Sequence, residues 1–266
     1  MFELFQYSFI QRAFVVGTLV GLICPLIGSF LILKRFSALA DTLSHVSLLG
    51  ITIALILGFS PTIVAILTSL AASFGINRFK KSVFGESVLT IFLSSSLGIV
   101  AILVSIYKGF AKDLWGYLFG SLMTITNQDI WTILFVFMLV LSVIFTFYWQ
   151  FFCVCLDSEL AESTGINAEF FNLLLIILAA ITISVSLPII GGLLIGALMI
   201  IPTVSAWQFG LNFVNSLALA SIFGVFSVWI GILVSYYFNL ATGGCVVMTA
   251  LLIFLLSILT NKKYNK

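Results

Sequence analysis

Apolar runs of about the length that crosses a bilayer follow one another along this chain, joined by short polar stretches. A spanning helix takes ~20 predominantly apolar residues. Nine runs approach that length: 9–33, 40–58, 61–77, 87–107, 129–150, 170–187, 189–207, 213–237 and 245–260. Lipid offers backbone groups no partner, so such runs must close their hydrogen bonds internally, as helices. With 62% hydrophobic and 8% charged residues in a chain of 266, no stretch is left for a sizeable extramembrane domain. The sequence predicts an all-α, polytopic helical membrane protein of eight to nine transmembrane helices. Eight would follow if 1–33 or 40–58 crossed only partly.

The joints orient the chain. Lys34-Arg35, the 78–81 loop with Arg78, Lys80 and Lys81, and the tail with Lys262, Lys263 and Lys266 are basic. Nine spans with the N-terminus outside bring all three into the cytoplasm, as the positive-inside rule asks. The polar loop 151–168 falls there too. The segment 108–128 falls outside, where Lys108 and Lys112 count against the scheme; its Leu114-Trp115-Gly116-Tyr117 content suits a short helix at the membrane–water boundary. Residues 1–8 lack the basic start and the small-residue cleavage site of a signal peptide, so the first run reads as a retained span. A net charge of +2 is too small to point to nucleic acid.

Asp41 and His45 stand out against this background. His45 is the only histidine in the chain, and Asp41 precedes it by four residues, so a helix puts both on one face. A carboxylate in such a run costs roughly 2.5–3.5 kcal/mol on insertion scales, and intramembrane ionisable groups mark pathways by default. Imidazole suits zinc, and a carboxylate adds charge. Two ligands are too few for a tight tetrahedral site, yet a transporter must release its ion. The rest of the shell would come from water, backbone, a hydroxyl such as Ser44 or Ser47, another acid, or a second copy of the chain. The structural alternative is a helix cap at Asp41 and a hydrogen-bonded interfacial histidine. The nine-span scheme also places Asp41 near the inner end of its span, not at mid-membrane.

In 156–165, Asp157 or Ser158 can cap a short helix with acids in its first turn, and Gly165 can end it. It reads either as a solvated linker or as a docking helix for a soluble partner. Pro188 and Gly191-Gly192 separate the sixth and seventh runs, and Pro202 is expected to kink the seventh. Gly17 and Gly21, Gly116 and Gly120, and Gly192 and Gly196 fit small-xxx-small packing, weak support for a dimer. Cys153 and Cys155 read as buried thiols before they read as a metal relay. The run 75–82 lacks the second glycine of a phosphate loop, because Lys80 stands there. Any ATP hydrolysis therefore belongs to another chain, and this one is not expected to be an enzyme. An intramembrane metal hydrolase would need more acids or histidines than neighbouring spans supply, since catalytic zinc sites assemble three protein ligands.

The stretch 30–50, with Asp41-Thr42-Leu43-Ser44-His45 followed by Ser47-Leu48-Leu49-Gly50, resembles the signature of permease subunits in ABC importers of zinc, manganese and iron. Residues 114–122 resemble that family's external Leu-Phe-Gly segment. Asp157-Ser158-Glu159-Leu160-Ala161 followed by Gly165 resembles its cytoplasmic coupling segment. Residues 191–206, with Pro202, resemble its late glycine-to-proline span. The matches run nearly end to end, in the family's order.

The resemblance implies the cobalamin/siderophore-type (type II) permease fold, with residues 1–266 as a single transmembrane permease domain in a bacterial plasma (inner) membrane. It implies a homodimer with a second copy of itself, two ABC ATPase subunits, an extracytoplasmic metal-binding protein and surrounding lipid, but no nucleic acid. The family's intramembrane ligands fall on Asp41 and His45, and its ATPase-coupling helix on Asp157, Ser158, Glu159, Leu160, Ala161 and Gly165. Gly191, Gly192 and Pro202 would serve gating or packing. Ser158 departs from a frequent proline, loosening the first helical turn but keeping a capping hydroxyl. No cofactor is expected to be bound permanently. Zinc is the expected transported substrate, with manganese or iron, or a chelated metal such as a siderophore or cobalamin, as alternatives. Because a ligating imidazole must be neutral, transport should weaken as pH falls through roughly 6–7.

Overall fold

The computed structural model describes residues 8–79, 85–107, 109, 111–120 and 127–260. The basic residues Lys80, Lys81, Lys108, Lys262, Lys263 and Lys266 used to orient the chain lie outside the described residues, as does the end of the 114–122 segment. The described chain forms α1 (Ser8–Leu33), α2 (Ser37–Leu57), α3 (Pro61–Phe79), α4 (Gly85–Ile106), α5 (Ala111–Phe119) and α6 (Asn127–Thr146). It continues with α7 (Tyr148–Leu156), α8 (Ser158–Ser163), α9 (Ala168–Ile190), α10 (Ile195–Trp207), α11 (Phe213–Phe238) and α12 (Thr242–Thr260). No strand occurs among the described residues.

Among the described residues, eight helices are long and apolar enough to cross a membrane: α1, α2, α3, α4, α6, α9, α11 and α12. The shortened element is neither 1–33 nor 40–58 but the run 189–207. Pro188 lies inside α9, which continues to Ile190, so the break comes at Gly191 alone, with φ at 92°. A side chain would strain at that angle, and glycine does not. The chain turns through residues 191–194 and resumes as α10, 13 residues long. At 1.5 Å per residue that is about 20 Å, short of a ~30 Å hydrocarbon core. The run 129–150 also divides, at Phe147, into α6 and α7, and α7 carries the chain on to Leu156.

α1 and α9 form the centre. Val16, Val20, Cys24 and Ile27 of α1 are fully enclosed. About 72% of the most apolar stretch of α9 is buried, against 17% in α4 and 22% in α6, which leave most of their surface outside this chain's core. Apolar side chains gain little by leaving lipid for one another, so helices associate in a membrane through close packing and polar contacts. Gly17 lies against Val228, Gly21 against the backbone of Gly224, and Gly28 against the carbonyl of Met199. The Gly17/Gly21 stripe thus packs inside the chain against α11, and Gly120 packs against the end of α9. The Gly17/Gly21 stripe is an internal seam, which removes it as support for a dimer; a Cβ on Gly116 would meet nothing within 4 Å. Polar contacts add to the seams: the Thr203 hydroxyl donates to the Pro25 carbonyl at 3.0 Å, and Ser29 donates to the same oxygen at 2.8 Å.

Candidate metal transit site

α1 and α2 are joined by a tight turn. The amides of Arg35 and Phe36 donate back to the carbonyls of Ile32 and Leu31, at 2.9 and 2.8 Å, and Arg35 takes a left-handed φ of 61°. α2 then starts at Ser37 without a side-chain cap, so Asp41 falls on its second turn and His45 one turn later. Asp41 is exposed and is not the cap of this helix; His45 is half-buried.

The facing wall is the interrupted stretch between α9 and α10. Gly196 lies directly against the Asp41 carboxylate, and Gly192 lies near the Ser44 carbonyl. Gly196 is the second residue of α10, whose N-cap, Leu194, makes no side-chain cap bond. The carboxylate therefore stands at the positive end of a helix, which favours the anion by about 0.3–1 kcal/mol at an exposed site. The interrupted stretch is itself held by α5: the Gly192 amide donates to the Tyr117 carbonyl at 2.9 Å, and that of Leu193 to Leu118 at 3.3 Å. Asp41 thus faces the start of α10, on the second turn of α2 and close to the α1–α2 joint.

His45 supplies the second group. Its Nδ1 is buried and has no hydrogen-bond partner. Leaving a buried polar atom unmade costs about 1–3 kcal/mol, so a ligand for that nitrogen would recover free energy. Ser44 stays beside the pair, with its hydroxyl donating to the Asp41 carbonyl at 2.8 Å. Ser47 does not. It is committed to Ser184 at 2.9 Å, and Ser184 to Ser69 at 2.7 Å, in a buried hydroxyl cluster joining α2, α9 and α3. No group of three or more His, Cys, Asp or Glu residues is close enough to hold a metal among the described residues. The chain brings together two groups that could ligate a metal, a carboxylate oxygen and an imidazole nitrogen. Pro202 lies buried within α10, apart from the pair.

The cysteines stay thiols. Cys24 and Cys155 are buried, Cys153 is half-buried, and none is bridged.

The predicted short helix is α8. Asp157, not Ser158, caps it, accepting from the amides of Glu159 at 2.9 Å and Leu160 at 3.2 Å. Thr164 closes it and Gly165 follows with φ at 85°. Ala161 is buried in the main core, while Glu159, Leu160 and Glu162 are exposed. Ser158 serves a different partner. Its hydroxyl accepts from the Lys34 ammonium at 2.6 Å, which also donates to the Val154 carbonyl at 2.7 Å. Burial lowers the Lys34 pKa from its ordinary value, opposed by Cys155 and Asp157 nearby. Sequence reasoning placed Gly196 only in a packing pair and Lys34 only in a basic joint, because their contacts with Asp41 and Ser158 span more than 100 residues of chain.

A model of the ABC 3 transport family matches residues 6–261. The chain is similar to the manganese transport system membrane protein MntC of Listeria monocytogenes, 32% identical over 258 residues that cover 96% of this chain and 92% of that one. PsaBC from Streptococcus pneumoniae, solved in complex with Fab, superposes with a TM-score of 0.88 at 29% identity, over 98% of this chain and 94% of that one. A metal-chelate type ABC transporter in an inward-facing conformation shares the fold at a TM-score of 0.78 and 19% identity, over 94% and 86%. The expected permease fold is the one observed.

Proposed function

The chain belongs to the ABC 3 transport family, the permeases of metal-importing ABC transporters, and on that premise we propose that it carries a divalent first-row metal, manganese foremost, past Asp41 and His45. It is a multi-pass protein of the bacterial plasma membrane. The observation that carries the site is an exposed carboxylate one helical turn from a buried, unpartnered imidazole nitrogen. Asp41 would bind as an anionic oxygen ligand and His45 as a neutral nitrogen ligand, with water and a second copy of the chain completing the shell. Manganese accepts such a mixed, oxygen-rich set, and a half-shell favours release over storage.

Zinc is the second reading. Imidazole suits it, whereas the name of the Listeria relative favours manganese. We assign ATP hydrolysis to a separate ATPase subunit docking on α8, where Leu160 is 65% exposed between the acids Glu159 and Glu162. An apolar side chain turned outward on a capped, acidic helix suits a protein partner better than water. Delivery would come from an extracytoplasmic metal-binding protein.

The test is uptake by liposomes holding the whole complex, offered manganese, zinc and iron singly and in pairs. Manganese uptake that excess zinc fails to suppress supports the first reading. Zinc uptake that resists manganese supports the second. No ATP-driven uptake of any of the three would sink both.

A further inference from the structure

α7 ends where Asp157 takes an extended backbone, with φ −151° and ψ 114°. A continuing helix would cover the Val154 carbonyl with the amide of residue 158; here the chain turns away and leaves it to other donors. The Lys34 ammonium fills that position and, in the same geometry, holds the hydroxyl of Ser158, the first residue of α8. One cation therefore pins the end of α7 to the start of α8. A cation is the favoured partner at a helix C-terminus, but lysines normally serve it from their own helix; this one reaches across 120 residues of chain.

The other end of Lys34 is as firmly held. Its amide donates to the Phe30 carbonyl at 3.0 Å, and the two following residues are bonded back onto α1. The Leu39 amide donates to Phe36 at 3.0 Å, so α2 begins with no slack after the turn. Asp41 lies seven residues beyond Lys34, all of them in that turn or in α2. A displacement of α8 reaches the first turn of α2 through one side chain and one tight turn.

We propose that Lys34 is a positioning residue that couples movement of α8 to the helix carrying Asp41 and His45. The inference rests on the reading above, in which α8 receives the ATPase subunit. The Lys34 ammonium is held by Val154 and Ser158. It acts through Ser158 on one side and the α1–α2 turn on the other.

The experiment measures manganese uptake and ATP hydrolysis together, in liposomes holding this chain with its ATPase subunit and binding protein. The unsubstituted complex tests the function itself: without ATP-driven uptake there, the functional reading fails before coupling is asked about. Given that uptake, Lys34→Met should leave an assembled complex that still hydrolyses ATP but moves at least about fivefold less metal per ATP, the lower end of ordinary coupling between sites. Lys34→Arg, which restores a cationic donor, should recover most of the ratio. Ser158→Ala should lower it in the same direction, and the double variant should be no worse than Lys34→Met alone. A ratio within twofold of the original in Lys34→Met, or hydrolysis and uptake falling in parallel, would overturn the proposal. If Lys34→Met does not assemble, Ser158→Ala decides: an unchanged ratio overturns it, a lowered one supports it.

Discussion

Gly196→Ala is the most informative single substitution, because its effects on fold and on transport should separate. A Cβ at position 196 would land on the Asp41 carboxylate oxygen and come within 3.0 Å of its Cγ. The nearest backbone atom of α2, the Asp41 nitrogen, would be at 3.7 Å, an ordinary contact. The obstacle is thus the far end of a side chain that can rotate, and the helices need not part. Alanine also gains up to about 1 kcal/mol of helix propensity over glycine. The fold should stay within about 1 kcal/mol of the original. The carboxylate, however, must leave its place at the head of α10 and beside His45. Losing one charged ligand contact is worth roughly 1.5–3 kcal/mol, or about 10- to 100-fold in metal affinity. The assay is manganese titration of the purified complex with a thermal unfolding scan on the same sample. Gly116→Ala, where nothing lies within 4 Å, is the control. Binding within twofold of the original, with an intact fold, would refute the claim that Gly196 positions Asp41.

Three further outcomes are expected. Asp157→Ala removes both capping bonds of α8 and should cost about 1 kcal/mol locally, seen as roughly fivefold faster amide exchange at Glu159 and Leu160. Gly28→Ala drives a Cβ into the Met199 carbonyl, backbone against backbone, and should destabilise by about 1–3 kcal/mol in a thermal scan, whereas Gly98→Ala, in open space, should not. Ser184→Ala removes the hydroxyl that Ser47 and Ser69 share; at about 0.6 kcal/mol per interhelical bond it should cost about 1 kcal/mol while leaving metal preference unchanged in competition uptake.

Much of the architecture was legible in the sequence because lipid leaves a chain few options. Long apolar runs become helices, and the eight long ones fall close to their predicted limits. The run 189–207 misled because hydropathy does not register a turn: Gly191, Gly192, Leu193 and Leu194 are as apolar as a helix and form none. Pro188 misled in the opposite sense, since a proline near the end of a packed membrane helix is tolerated. The Asp41–His45 pair was readable from i, i+4 spacing alone. What faces it was not, because Gly196 has no side chain to announce a role and lies on a distant element. Ser158 looked like a cap from its position, but Asp157 reaches the amides first and frees the Ser158 hydroxyl for Lys34. The cargo was not fixed by the residues either, since an acid and a histidine serve manganese, iron and zinc alike.

The most direct test of the transit site is uptake of manganese and of zinc by the reconstituted complex carrying Asp41→Ala or His45→Ala, with assembly and ATP hydrolysis followed on the same preparations. Loss of uptake in both variants, with the complex assembled and hydrolysis retained, is the predicted result. Uptake that survives both substitutions would contradict it, and the path of the metal would then lie elsewhere in the bundle.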